Sequence, residues 1–166
     1  KCYYAVVKVT DRKGMENVQK ELGSRTVITL ENYLLKDSRT NMSRVVPEGT
    51  DGAKKAVLEY RVLGIETGEE LALLRVKLHT GRHHQIRVQL SETGMPILND
   101  TKYGVTPNEE NIKDTSRAVR DEALALCSYR LVFSHPVTRK KLTFEVIPKG
   151  KSFALFSEDF GKKDNI

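Results

Sequence analysis

Lys55-Ala56-Val57-Leu58-Glu59-Tyr60-Arg61-Val62-Leu63 places Val57, Tyr60, Val62 and Leu63 ahead of a turn-forming segment, residues 64–70. Leu71-Ala72-Leu73-Leu74-Arg75-Val76-Lys77-Leu78 follows and alternates Leu74, Val76 and Leu78 with Arg75 and Lys77. Alternation with period two is the mark of a strand with one face buried, and two such runs joined by a short Gly-containing loop predict an antiparallel hairpin. Working outward, residues 130–133 and 142–147 predict a second hairpin, joined through His135-Pro136 and the basic turn Arg139-Lys140-Lys141. The chain opens on another strand-like run, Tyr3-Tyr4-Ala5-Val6-Val7-Lys8-Val9. Between the hairpins the period changes: Ile86 and Leu90, stopped by Gly94-Met95-Pro96, predict a helix of about three turns. Residues 38–52 and 106–122 are polar and rich in turn formers, and read as loops covering a β-rich body. Phe153, Phe156 and Phe160 fall at helical spacing and predict one short helix on the sheet. The expected class is α+β, with an antiparallel or mixed sheet and a few packed helices.

At 166 residues there is room for one core. A chain of that size buries roughly 70% of its unfolded surface and needs no covalent staples. The composition, 39% hydrophobic and 30% charged, fits a globular chain rather than a disordered or fibrous one. No apolar run approaches the roughly 18 residues of a membrane-crossing helix. Cys2 and Cys127 are too few for a disulfide framework or a cysteine-built zinc site, and suit a reducing cytoplasm. The formal net charge of +6 favours a polyanionic partner. The chain begins with Lys1, flush against a strand, from which we expect further sequence upstream.

The densest concentration of chemistry is Thr80-Gly81-Arg82-His83-His84-Gln85-Ile86-Arg87, where a strand gives way to a helix. The opening turn of a helix offers unpaired N–H groups and positive dipole character, so Arg82 and His83 are placed to grip an anion such as phosphate. A solvated basic helix start is the plainer alternative. Arg87, one turn on, reaches inward to fork onto a carboxylate. His79, His83 and His84 invite a metal reading, but no Cys, Asp or Glu completes a ligand set, and no metal is expected. No Gly-x-Ser-x-Gly elbow supports serine hydrolysis. Asp100, in Asn99-Asp100-Thr101-Lys102-Tyr103-Gly104, is the nearest acid in sequence, and an Asp in such a turn chiefly bonds its own backbone.

The run from Thr80 to Leu90, with Gly94-Met95-Pro96-Ile97, Asp100 and Tyr103-Gly104, resembles the closing signature of RluA-class RNA pseudouridine synthases: TGRxHQIRxHL, then GxPIxGDxxYG. Lys1-Cys2-Tyr3-Tyr4-Ala5-Val6-Val7 resembles the family's KxYxAxV strand. Tyr33-Leu34-Leu35-Lys36-Asp37, Asn41 and residues 56–63 resemble its middle section, and residues 124–136 and 142–147 its last hairpin. Residues 1–160 are then part of a catalytic domain, with 161–166 as a tail. Departures are Gln89 for a frequent His, Asn99 for Gly, and Cys127-Ser128 for His-Ala.

The resemblance implies a cofactor-free enzyme that isomerises uridine to pseudouridine in structured ribosomal or transfer RNA. An aspartate acts on the sugar as nucleophile or base, suited to a carbon made electron-poor as its C–N bond loosens. The base must leave its stack for an apolar or aromatic pocket. Tyr3 matches the tyrosine lining that pocket, Arg87 the arginine paired with the catalytic aspartate, and Leu126 a hydrophobic residue against the target base. Arg82, His83 and Gln85 fall at RNA contacts. The aspartate itself belongs to an HRLD-type segment ahead of the KxYxAxV strand, and none of the eight Asp residues here has that setting. It is therefore expected upstream of Lys1, and this chain alone is expected to be inactive. No membrane and no obligate protein partner is implied. The alternatives are a non-catalytic RNA-binding module on the same fold and, last, a metal-dependent hydrolase on the three histidines.

Overall fold

In the computed structural model, which describes residues 1–104 and 123–160, seven strands form one sheet in the order β3-β2-β4-β5-β1-β6-β7. The strands are β1 (Cys2–Lys8), β2 (Ile28–Asp37), β3 (Met42–Val46), β4 (Lys54–Glu66), β5 (Leu71–Leu78), β6 (Leu126–Ser134) and β7 (Lys141–Glu145). Every neighbouring pair is antiparallel. Among the described residues three helices accompany them: α1 (Arg12–Ser24), α2 (Gln85–Glu92) and α3 (Lys151–Ala154).

The register sorts the side chains. Tyr60 pairs with Val76 and Val76 with Tyr3, while Val62 pairs with Leu74 and Leu74 with Ala5. Residues paired in this way project from the same face, here the one that packs against α1 and α2. On α1, Glu21 accepts the Tyr60 hydroxyl at 3.4 Å; on α2, Val88 packs on Leu34 and Ala56. The opposite face carries Tyr4, stacked on Tyr129 at 3.8 Å between centroids. Helix α3 and the chain after it cover that face, with Phe153 on the helix and Phe156 beyond it buried, and Phe160 packed against Tyr4 at 5.1 Å between ring centroids.

The hairpin expectations hold with shifted ends. β4 runs past Gly64 to Glu66, because a bulge between Val62 and Gly64 keeps the strand paired where glycine suggested a turn. Helix α2 has eight residues, just over two turns rather than three, and ends before Gly94, whose φ is +78°. Residues 38–52 are not simply a loop: Met42–Val46 is an edge strand pairing with Tyr33–Asp37 around a turn at Asn41 (φ 51°). Its polar Ser43 and Arg44 hide the strand signal. Helix α1 was not foreseen. Asp11 caps it by accepting the Gly14 N–H at 2.6 Å, and Met15, Val18 and Leu22 at helical spacing form its inner face. The loop expected at 106–122 lies outside the described residues.

Candidate active site

The site grows from the end of β5. His79 and Thr80 both donate their N–H to the Val57 carbonyl, at 3.1 and 3.2 Å, and the Thr80 hydroxyl accepts the Val57 N–H at 2.8 Å. The Gln85 side-chain oxygen then gathers the turn, accepting the Thr80 hydroxyl at 2.9 Å and the Arg82 N–H at 3.0 Å. Gln85, expected at an RNA contact, is instead only 3% exposed and turned inward. It takes up an amide the turn would otherwise leave unpaired. His84 completes the turn in the left-handed region, φ 52° and ψ 24°, and α2 begins behind it. Gln89 fixes the helix from below, donating to Asn32 at 2.8 Å and to the Leu30 carbonyl at 3.2 Å.

One turn along, Arg87 reaches inward as expected, and its partner lies within this chain. Its Nε donates to one Asp100 carboxylate oxygen at 2.8 Å and its Nη2 to the other at 2.6 Å. The side chains are 16% and 0% exposed. Asp100 also accepts the backbone N–H of Lys102 at 2.9 Å and of Tyr103 at 3.0 Å, the turn role read from the sequence. Burial pushes its carboxyl up, but the Arg87 bonds and the two amides outweigh this and hold it below the ordinary range. The Asp100 bonds in turn raise Arg87. The pair is braced from β1: Lys8 donates to the Pro96 carbonyl and Leu98 to that of Val6, which fixes the segment leading to Asp100.

The far side is closed by Tyr103, whose ring lies under the Arg87 guanidinium at 5.0 Å. Its hydroxyl accepts the Ser43 N–H at 2.7 Å and lies 3.0 Å from His84 Nδ1. His83 stacks on His84 at 3.8 Å and meets the Ser43 hydroxyl at 2.9 Å. Burial, then repulsion from Lys36, Lys102 and Arg87, lowers His83. His84 is pushed down to about 4 by burial, by His83 and by Arg87. Both rings are therefore neutral at pH 7 within a positive field. Gly104 closes the loop so tightly that a Cβ there would stand 2.2 Å from the Asp100 carbonyl oxygen. A backbone oxygen cannot swing aside, so Gly104→Ala should cost about 1–3 kcal/mol, read as a lower urea midpoint.

The remaining candidates fall into two places. Arg82 is exposed beside this turn, its Nε donating to the Lys55 carbonyl at 2.8 Å. Tyr3 is on β1, paired with Val76 of the strand that leads into this turn, and Leu126 is on β6, paired with Ala5 and so on the face of Tyr3; both pack against the core. His79 pairs with Glu59 at 3.0 Å, while His83 and His84 meet each other, their rings tilted by 30°. Sequence reasoning missed His84, Tyr103 and Ser43 as site residues. The spacing of Asp100 and Tyr103, which fits a side chain bonding the backbone ahead of it, was the available signal for the tyrosine.

A family model described as RNA pseudouridylate synthase matches residues 1–92, more than half of the chain. The chain belongs to this family. It is 40% identical over 109 residues to the ribosomal large subunit pseudouridine synthase D of Vibrio cholerae, covering 64% of this chain and 32% of that one. To the protein of the same name from Borreliella burgdorferi it is 30% identical over 166 residues, all of this chain and 43% of the relative. The chain thus spans less than half the length of these pseudouridine synthases. The solved structure of human RNA pseudouridylate synthase domain containing 4 has the same fold, with a TM-score of 0.63 at 20% identity over 93% of this chain and 59% of the human one.

Proposed function

We propose that the full-length protein carrying this chain isomerises uridine to pseudouridine in structured RNA. The observation that carries the reading is Arg87, inside the family signature and buried at the start of α2 with its plane fixed by Asp100. A guanidinium has five N–H donors. Asp100 takes two and His84 faces a third, so one on each terminal nitrogen is left among the described residues to receive a second carboxylate. On this reading that second carboxylate is the catalytic aspartate of the HRLD-type segment, supplied from upstream of Lys1. Asp100 has its oxygens committed to Arg87 and to the two turn amides and is not that residue. The aspartate acts on the sugar as the C1′–N1 bond breaks with its electron pair left on the base; the base turns, C1′ bonds to C5, the C5 proton passes to water and N1 takes up one proton. Tyr3 and Leu126 offer an aromatic and an apolar wall for a base taken out of its stack. Arg82, with Lys36 and Lys102 near His83, supplies positive charge for the phosphates of ribosomal or transfer RNA in the cytoplasm.

The loss of the C5 hydrogen supplies the assay. RNA carrying 5-tritiated uridine should release tritium to water with the full-length protein and release none with these 166 residues alone. No release from any ribosomal or transfer RNA by the full-length protein would overturn the proposal.

A further inference from the structure

We infer that His84 is a positioning residue for this reaction: as the neutral Nδ1–H tautomer it ties the Arg87 guanidinium to the Tyr103 hydroxyl, and through it to β3, keeping the Arg87–Asp100 fork in one orientation. Its effect on turnover rests on the pseudouridine reading; the tautomer does not. The assignment follows from which atoms donate. Arg87 Nη1 lies 3.3 Å from His84 Nε2, and arginine only donates, so Nε2 presents its lone pair. A neutral imidazole that accepts at Nε2 carries its hydrogen on Nδ1, which faces the Tyr103 hydroxyl oxygen at 3.0 Å. That oxygen also accepts the Ser43 N–H at 2.7 Å, so two elements meet on one phenol. The opposite tautomer would set two donors against each other at Nε2, and an imidazolium would add a like charge.

The surroundings act in the same direction. His83 stacks on one side of the ring at 3.8 Å, and Tyr103 meets it edge-on at 5.6 Å. Burial disfavours a proton on the ring, as do His83, Arg87 and Lys102; Asp100 favours one and is outweighed, and the Tyr103 hydroxyl faces Nδ1. The backbone at φ 52° holds the ring at the mouth of α2, a conformation that histidine adopts more readily than most residues.

The test uses the full-length protein labelled with 15N-histidine, with the His84→Gln spectrum assigning the resonances. Long-range 1H–15N correlations at pH 7 should show a protonated Nδ1 and an unprotonated Nε2 for His84. Tyr103→Phe should shift the ring toward the Nε2–H form. In turnover, His84→Leu should lose about 10- to 100-fold in kcat with KM for RNA little changed, the range expected when a reacting group is slightly misplaced. His84→Gln keeps an acceptor for Arg87 and should recover most of that loss. An Nε2–H tautomer or an imidazolium at pH 7 would overturn the assignment, as would a Leu variant with wild-type kcat. A wild-type enzyme without turnover would overturn the functional reading and the kinetic claim with it, while the spectrum would still decide the tautomer.

Discussion

Asp100→Ala should lower the unfolding free energy of the protein by about 3–5 kcal/mol, the cost of removing one partner of a buried ion pair. The carboxylate has no exposed surface and receives Arg87 Nε, Arg87 Nη2 and the N–H groups of Lys102 and Tyr103. Alanine strands a guanidinium only 16% exposed and two amides in the loop that closes on Gly104. Urea denaturation should show a lower midpoint at unchanged slope. The double substitution Arg87→Met with Asp100→Leu removes both charges and fills the space, so the part of the loss due to the stranded guanidinium should return, while the Lys102 and Tyr103 amides stay without their acceptor. Acid gives the same pair a second reading. Asp100 titrates below its ordinary range in the fold, so its contribution is full above the unfolded carboxyl pKa and is lost as pH falls through the folded value. His84 acts earlier with the same sign. Its folded pKa of about 4 lies below the ordinary 6.5, so the unfolded chain takes that proton first and stability declines as pH falls from 6.5 toward 4. His84→Gln should flatten that part of the pH–stability curve.

The strands at the centre of the sheet were legible because burial imposes a period. In β5, Leu74, Val76 and Leu78 face the helices, and β1 carries an apolar run where both of its faces are covered. At the edges that signal fades. β3 pairs on one side only, so Ser43 and Arg44 cost it little, and Pro47, Gly49 and Gly52 beyond it read as loop. Helix α1 keeps Val18 as its one buried residue, too thin a stripe to stand out. At the site, the inward reach of Arg87 was visible from its place in the helix, and Asp100 was visible as a turn residue. That the two meet depends on the segment from Met95 to Leu98 running beside β1, a tertiary arrangement with no local signature. Gln85 was placed at an RNA contact by the resemblance alone, whereas its oxygen holds the turn by accepting the Thr80 hydroxyl and the Arg82 amide.

On the proposed function, Arg87→Met in the full-length protein should lower turnover by about 10²–10³-fold, the loss seen when one preorganised donor is taken from a charge-stabilising site, while RNA affinity changes little. The expectation comes from where the guanidinium sits. It is 16% exposed, held in plane by Asp100, backed by the Tyr103 ring and braced by His84, so it is built to hold a carboxylate rather than to meet phosphates in solution. On the same proposal, phosphate contact is expected of exposed cations such as Arg82, whose removal should act on binding and its salt dependence. The single variant leaves Asp100 buried without its cation, so slow turnover could reflect a loosened fold. The Arg87→Met and Asp100→Leu double variant separates the two causes: with no buried charge left unpaired it should regain part of the lost stability and remain as slow as the single variant. Single-turnover tritium release with RNA in excess of its Kd, measured beside the urea midpoint, reads both quantities on one preparation. Activity that returned with stability would make the arginine a structural brace alone; activity that stayed lost in a stable protein would assign it to the chemical step.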